Sequence, residues 1–520
     1  MTRRPRWCGL AAIFLLTAAI SSRPRPADAA RVLAFETVAA KSHWNFMRAV
    51  LRALADRGHP VKVYTPFPDL GTPATDNYTE VKTSAEYRID GANGFATAVD
   101  LDASVVVPLF ARPSFMVPFI VHFSRSTCDY MDRVLSRDVG AYDLFVTEPL
   151  SSECVSHAAR WLGVPLVYVV PAPLLPWIET GAFGHYSNPA VATHLFAAYA
   201  VPDTLYRRLH SAALHLYTVC GNYWYTAAVE RRPYDLAPPV RPALVFVNTH
   251  HVTEPPGPVP ANRVDVGGIH LTEPRPLPAD ILKFIEESQN GVIYFSFGTV
   301  VALSSLPDHI QNAFKDALAE VPQRVLLKFE GEMKDKPKNV MTSKWLPQRD
   351  ILKHPNVKLF IGHGGISGVY EAVDAGVPIL GFPLFYDQPR NMANLVDAGM
   401  ALSLDLFSVT KNTLLKAINE IINNETYSKN AKIVSDRFKD RPMSPTESVV
   451  YWTEYVIRYK NAPHLKSHAF NLTWYQYFLL DVIAVVFLII LFVSYITLKT
   501  LRLVNKIIFK PLSKSKLKPD

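Results

Sequence analysis

The sequence predicts an α/β protein of two parallel-sheet halves that face one another across a cleft, with one membrane-spanning helix near its C-terminus. Three observations carry that prediction. A chain of 520 residues is too long for one ordinary core, so two domains are the natural expectation. A strand–helix–strand pattern occurs both before and after a proline-rich stretch. Residues 478–498 are apolar apart from Asp481, about the length needed to cross a bilayer.

The N-terminus has a basic start, an apolar run over residues 9–20 and small residues at Ala27, Ala29 and Ala30. This is the layout of a cleaved secretory signal, assigned to residues 1–30, and the apolar run is short for a span. The apolar run Val32–Phe35 is followed by a polar loop to Ser42 and His43. Residues 45–56 then carry Phe46, Met47, Val50, Leu51 and Leu54 at helical spacing, and Gly58 closes the helix before the next apolar run. That unit opens a Rossmann-like domain, residues 31–255, with further strands expected at 144–147, 166–170 and 244–248. Residues 256–278 hold many prolines and no apolar period, and are expected to be a linker. A second series, residues 279–443, repeats the alternation: strand 292–297 ending in Gly298 and Thr299, helix 310–318, strands 325–328 and 358–362, helix 367–375 and strand 378–381. Residues 444–477 begin as an amphipathic helix and lead to the apolar run.

Charge narrows the function. The net charge is +8, but Arg3, Arg4, Arg6, Arg23 and Arg25 crowd one end and seven cations the other. The body between them is slightly acidic, which excludes a nucleic-acid partner. Trp474, Tyr475 and Tyr477 precede the apolar run where an aromatic belt would lie, and the basic segment 499–520 follows it. The positive-inside rule then puts the tail in the cytosol and the body in the lumen, as a single-pass type I protein. Three cysteines remain after the signal (Cys128, Cys154 and Cys220), so at most one disulfide forms. Sequons at Asn77 and Asn424 suit a luminal body, while the one at Asn471 lies close to the membrane.

The richest stretch is Trp345 to Gln388. It reads W-L-P-Q, then F-I-G-H-G-G-x-S-G-x-x-E, then G-V-P-x-L-G-F-P-L-F-Y-D-Q. An aromatic can stack on a base, glycines at a helix start can cradle phosphates, and carboxylates can hold ribose and sugar hydroxyls. This stretch resembles the donor signature of the UDP-glycosyltransferase family, including its invertebrate membrane-bound members. The resemblance implies the GT-B architecture of two Rossmann-like domains. It assigns Trp345 and Gln348 to the uracil, and His363, Gly365, Ser367 and Gly368 to the diphosphate. Glu371 falls to the ribose, Asp387 and Gln388 to the sugar, and Gly298 and Thr299 to secondary UDP contacts. Gly362 stands where Ser or Thr is common, and Ser367 where many members have Asn. The resemblance also implies that the helix after the second domain crosses back onto the first. The terminal Lys516-Leu517-Lys518-Pro519-Asp520 resembles an endoplasmic reticulum retrieval signal.

On the acceptor side, the Ser42-His43-Trp44 segment resembles the family's catalytic-base segment, which makes His43 the expected base. Its place at a helix N-terminus is expected to lower the imidazole pKa and keep it neutral. Glu148, where many members carry Asp, is its expected carboxylate partner. The implied reaction is inverting transfer of a hexose, with glucose preferred, from a UDP-sugar to a small lipophilic hydroxyl compound, for detoxification or conjugation. The UDP-sugar is a co-substrate, and neither a cofactor nor a metal is expected; Asp100 and Asp102 read as a loop. Two alternatives stay open: a transferase acting on ceramide-type lipids, and a UDP-sugar-binding partner without catalysis. Homo-oligomerisation is compatible with all three.

Overall fold

A computed structural model describes residues 29–38, 40–69, 77–83, 112–138, 140–149, 155–228, 239–298 and 301–509. The signal segment up to Asp28, Asp100 and Asp102, Cys154, Thr299 and the terminal lysine motif lie outside these residues.

Among the described residues, thirteen strands form two fully parallel sheets. The first contains β1 (Val32–Phe35), β2 (Val61–Thr65), β3 (Tyr78–Lys82), β4 (Leu144–Thr147), β5 (Leu166–Val170), β6 (Leu244–Val247) and β7 (Arg263–Asp265). The second contains β8 (Val292–Ser296), β9 (Arg324–Lys328), β10 (Val340–Ser343), β11 (Val357–Gly362), β12 (Ile379–Gly381) and β13 (Ala401–Ser403). Their orders are β3-β2-β1-β4-β5-β6-β7 and β10-β9-β8-β11-β12-β13. Both follow the doubly wound Rossmann order, whose direction of winding reverses beside the first strand. Strands β1, β4, β5, β6 and β8 are buried at every residue, because helices cover both faces of a parallel sheet.

Three boundaries differ from those expected. The first helix, Lys41–Asp56, begins a turn early, because Trp44 joins the buried face with Phe46, Met47 and Val50. His43 therefore stands in the first helical turn and not in the loop before it. Within the expected linker 256–278, Arg263–Asp265 pair with β6 as a seventh strand; a three-residue strand is too short to declare a period in sequence. The helix Pro113–Leu135 was not foreseen, as Pro118 inside it argues against a helix.

After the second sheet, Ser444 and Glu447 form a capping box that starts helix Pro445–Arg458. Val449 and Val456 of this helix enter the core that holds Val32 and Trp44, and Arg57 Nε donates to Glu454 at 2.9 Å. The chain thus returns to its first half. The halves also meet through Thr253 Oγ1 and Tyr370 Oη, 2.8 Å apart, and through the buried Glu254–Arg390 ion pair.

Residues 467–520 are a separate unit. In it, Leu480–Ile508 is one helix of 29 residues, long and apolar enough to cross a membrane. At about 1.5 Å per residue it runs about 43 Å, more than the roughly 30 Å hydrocarbon layer. Lys499, Arg502 and Lys506 thus ride on the same helix as the apolar run.

Candidate active site

The two reversal points place the site. His43 follows β1 and Glu148 follows β4; Gly298 follows β8 and His363 follows β11. Ligands in open parallel sheets settle at this position, beyond the carboxyl ends of the strands. One cavity of about 520 Å³ is lined from the first half by His43 and Glu148. From the second half it is lined by Gly298, Trp345, Gln348, His363, Gly365, Ser367, Gly368, Glu371, Asp387 and Gln388. The structure thus brings every described donor and catalytic candidate to one space. Asn77 and Asn424 are exposed and do not line it; Asn424 caps helix Glu425–Lys439 by accepting from Thr426 N at 3.1 Å.

His43 Nδ1 lies 3.0 and 3.1 Å from the two oxygens of Glu148. With that nitrogen donating to the carboxylate, Nε2 holds the lone pair that can receive a proton. Burial disfavours a charged imidazole, but Glu148 outweighs it through charge and hydrogen bond, and Asp387 adds to the effect. The pKa is raised above its usual 6.5, opposite to the helix-terminus expectation. A carboxylate in direct contact overrides the partial charge of a helix end. The influence of Asp387 also places the expected base and the expected sugar ligand, from opposite halves, within electrostatic reach of each other. Glu148 is held in turn: Thr37 Oγ1 donates to its carbonyl at 3.0 Å.

On the facing wall, glycines shape the seat of the His363 ring. A Cβ at Gly365 would stand 2.5 Å from His363 Nε2, and one at Gly298, where φ is +76°, would stand 2.7 Å from Cε1. Both positions need glycine to admit the imidazole, a role the motif alone did not disclose. Burial, with Lys328 adding, pushes the His363 pKa down to about 4. A neutral ring with one N–H is the form suited to donate to a phosphate without being titrated near neutral pH. Helix Ile366–Ala375 starts at this wall, with Gly365 as its N-cap and Ser367 in its first turn. Gly362 has its own reason: a Cβ there would stand 2.7 Å from the Phe360 ring.

Trp345 is 61% exposed, an available face for stacking, and Lys41 Nζ sits 5.1 Å from its ring centre. Lys41 comes from the first half and was not singled out in the sequence. Gln348 and Glu371, expected to hold base and ribose separately, hydrogen-bond one another, and Tyr294 Oη donates to Gln348 at 3.1 Å. Gly368 leaves room for this pair, since a Cβ would stand 3.1 Å from Gln348 Nε2. Burial raises Glu371 to about 7, against the hydrogen bond from Gln348 and the charge of Arg349.

Asp387 accepts from Asn391 Nδ2 at 2.7 Å. Burial raises its pKa to about 6, against the Asn391 bond, the charge of His43 and the Ile366 N–H. Gln388 Oε1 accepts Leu384 N at 2.8 Å, so the turn uses its oxygen and leaves the NH₂ for a ligand. Tyr386, just before the pair, has φ +59°, a left-handed conformation that costs a non-glycine residue about 1–3 kcal/mol. The turn is held in place by ring contact between Tyr386 and Phe196 of the other half at 6.0 Å.

Sequence reasoning did not single out Lys328, Arg275 and Arg349, which bring positive charge to the cavity. For Lys328 the signal was a cation at the end of a strand, and for Arg349 a cation directly after the W-L-P-Q run; Arg275, in the proline-rich stretch, carried none. At the acceptor end the walls are apolar: Met116, Phe119, Ile120 and Phe123 come from helix Pro113–Leu135, and Leu175 and Ile178 from the segment after β5. Among the described residues, no group of three His, Cys, Asp or Glu side chains is placed to hold a metal ion. Cys128 is in a disulfide and Cys220 is free.

Two facing Rossmann-like sheets with a ligand cavity between their reversal points define a GT-B glycosyltransferase. Solved structures agree with the fold. Os79 from O. sativa, crystallised with U2F and trichothecene, superposes with a TM-score of 0.54 at 17% identity, covering 82% of this chain and 100% of its own. The glycotransferase of kitacinnamycin gives 0.54 at 15%, covering 82% and 99%. The model of the UDP-glucoronosyl and UDP-glucosyl transferase family matches residues 30–515. UDP-glucosyltransferase 2 of Dactylopius coccus is 38% identical over 92% of this chain and 94% of its own length. UDP-glucuronosyltransferase 1A7 of Homo sapiens is 31% identical over 88% and 89%. The chain belongs to the UDP-glycosyltransferase family and is an enzyme of that class.

Proposed function

We propose that this enzyme transfers glucose from UDP-glucose to a hydroxyl of a small lipophilic acceptor, with inversion and without a metal ion, in detoxification or conjugation. The observation that carries the reading is the His43–Glu148 pair at 3.0 Å, set in one cavity with Asp387 and His363. His43 Nε2 takes the acceptor proton as the oxygen attacks the anomeric carbon, and Glu148 stabilises the imidazolium that forms. The bond from that carbon to the UDP oxygen breaks on the opposite face, which inverts the configuration. The His363 N–H and the start of helix Ile366–Ala375 face the charge that develops on the departing diphosphate. Trp345 stacks the uracil, Gln348 and Glu371 together hold the base edge and ribose, and Asp387 with the Gln388 NH₂ holds the sugar.

Glucose is favoured by the relative named a UDP-glucosyltransferase, which is 38% identical against 31% for the glucuronosyltransferase. The apolar wall around Phe119 and Ile120 supports a lipophilic acceptor. The apolar run of helix Leu480–Ile508, with Lys499, Arg502 and Lys506 in its C-terminal part, supports an endoplasmic reticulum membrane protein with its catalytic halves in the lumen and its tail in the cytosol. The test is UDP release from UDP-glucose and from UDP-glucuronate with a panel of phenols, in native protein and His43→Ala, with and without chelator. The reading expects faster release from UDP-glucose, near-abolition in His43→Ala and no effect of chelator. Equal release by both proteins rejects His43 as the base, and loss with chelator rejects the metal-free site.

A further inference from the structure

The lysines and arginines that line the cavity among the described residues are Lys41, Arg275, Lys328 and Arg349. All but Lys41 already have a carboxylate beside them. Lys328 pairs with Glu330 and Arg349 with Asp374, both within the second half. The backbone N–H of Arg275 donates to Asp350 Oδ1 at 2.7 Å, so that carboxylate stands next to it. Lys41, at the first position of helix Lys41–Asp56, is exposed and has no carboxylate partner among the described residues. Its ammonium rests 5.1 Å from the centre of the Trp345 ring, across the cleft. A UDP-sugar carries a negative charge on each of its phosphates. His363, with its pKa pushed down to about 4, meets them with a hydrogen bond and no charge, and a helix start offers only partial charge. A full positive charge not already spent on a carboxylate is what the donor wall itself lacks.

We propose that Lys41 is the counter-charge for the donor diphosphate, lent to the nucleotide site of the second half by the acceptor half. The proposal rests on the donor-site reading given above. The two ends of the donor fix where this lysine acts. Its ammonium stands by Trp345, at the uracil end. Two residues on, His43 stands within electrostatic reach of Asp387, at the sugar end. Between the base and the anomeric carbon a UDP-sugar has only ribose and diphosphate, and of these only the diphosphate is charged. An exposed indole face holds an ammonium weakly, whereas a phosphate oxygen forms a charge-assisted hydrogen bond with it. The flexible four-carbon stem of lysine lets the ammonium pass from ring to phosphate while its backbone stays in the helix.

The contact couples donor binding to the base. Lys41 and His43 share one helical turn, and Trp44, buried in the first core, anchors that turn. A phosphate that holds Lys41 therefore also fixes the turn that carries His43, and sets the base against the anomeric carbon. As the bond to the sugar breaks, negative charge grows on the departing diphosphate, so the same ammonium stabilises the transition state more than the bound donor. Loss of the charge should accordingly lower kcat as well as donor affinity.

The test measures the dissociation constants of UDP and of uridine, which has the base and ribose but no phosphate, on the full chain in detergent. Native protein is compared with Lys41→Met, which keeps an unbranched side chain of similar length, and Lys41→Arg, which keeps the charge. In Lys41→Met the Kd for UDP should rise roughly tenfold, the loss of one charge-assisted hydrogen bond at an exposed site, while that for uridine stays within about twofold. Lys41→Arg should restore most of the UDP affinity, and the weakening of UDP binding by salt should be shallower in Lys41→Met than in native protein. Retained uridine binding reports a folded donor site. An equal change for UDP and uridine overturns the proposal, because Lys41 then serves only the Trp345 face. A Kd for UDP in Lys41→Met within about twofold of native overturns it as well. Native protein that binds neither ligand refutes the donor-site reading itself, and the proposal falls with it.

Discussion

Replacing Glu148 with Gln separates the two effects that the carboxylate has on His43. The substitution keeps volume and a hydrogen-bonding oxygen but removes the charge. Both carboxylate oxygens address the same imidazole nitrogen, at 3.0 and 3.1 Å, so they count as one charge-assisted hydrogen bond. Such a bond is worth about 1.5–3 kcal/mol, and about 1.36 kcal/mol is a factor of ten in rate. The expected fall in kcat is therefore roughly 10- to 150-fold. The pH profile moves as well. In the native site burial lowers the His43 pKa and Glu148 more than reverses this, leaving it raised above 6.5. Since the base must be unprotonated, native kcat/KM rises with pH through that raised value. With the charge gone, burial dominates, the pKa falls and the acidic limb shifts to lower pH. UDP release at saturating UDP-glucose, measured across pH, reads both effects, and UDP affinity should stay unchanged because Glu148 belongs to the acceptor half. A variant with kcat within twofold of native, or with an unmoved acidic limb, refutes the His43–Glu148 assignment.

Other perturbations act on the donor side. Gly365→Ala places a methyl 2.5 Å from His363 Nε2, and overpacking of this kind costs about 1–3 kcal/mol; kcat should fall while circular dichroism is retained. Trp345→Ala removes a stacking surface worth about 1–3 kcal/mol, so the Kd for UDP should rise roughly 5- to 150-fold by calorimetry. Asp387, with its pKa raised to about 6, accepts sugar hydroxyls best as a carboxylate. The KM for UDP-glucose should accordingly rise as pH falls below about 6, while the Kd for UDP, which lacks the sugar, should change much less.

Much of the fold was legible because parallel strands buried on both faces are continuous apolar runs, and β1, β4, β5 and β8 lie where those runs are. Short or mixed elements were not legible. Strand β7 has three residues, and helix Pro113–Leu135 contains an internal proline, so neither carries a period that local reading detects. The donor signature is likewise local, since Trp345 to Gln388 spans only β11, β12 and their connections, and the resemblance could be drawn from consecutive residues.

What required the tertiary structure was every relation between distant segments. His43 and Glu148 are 105 positions apart and meet only because β1 and β4 pair side by side at the reversal point. That contact, and not the helix end, sets the direction of the His43 pKa. Lys41 reaches Trp345 across the cleft, and Gly298 and Gly365 make space for one imidazole from two different strands' ends. The sequence alone determined which residue types were available and which local elements they formed, because backbone propensity and apolar period are short-range properties. Charge coupling, burial and steric fit depend on through-space distance, so only the folded chain decided them.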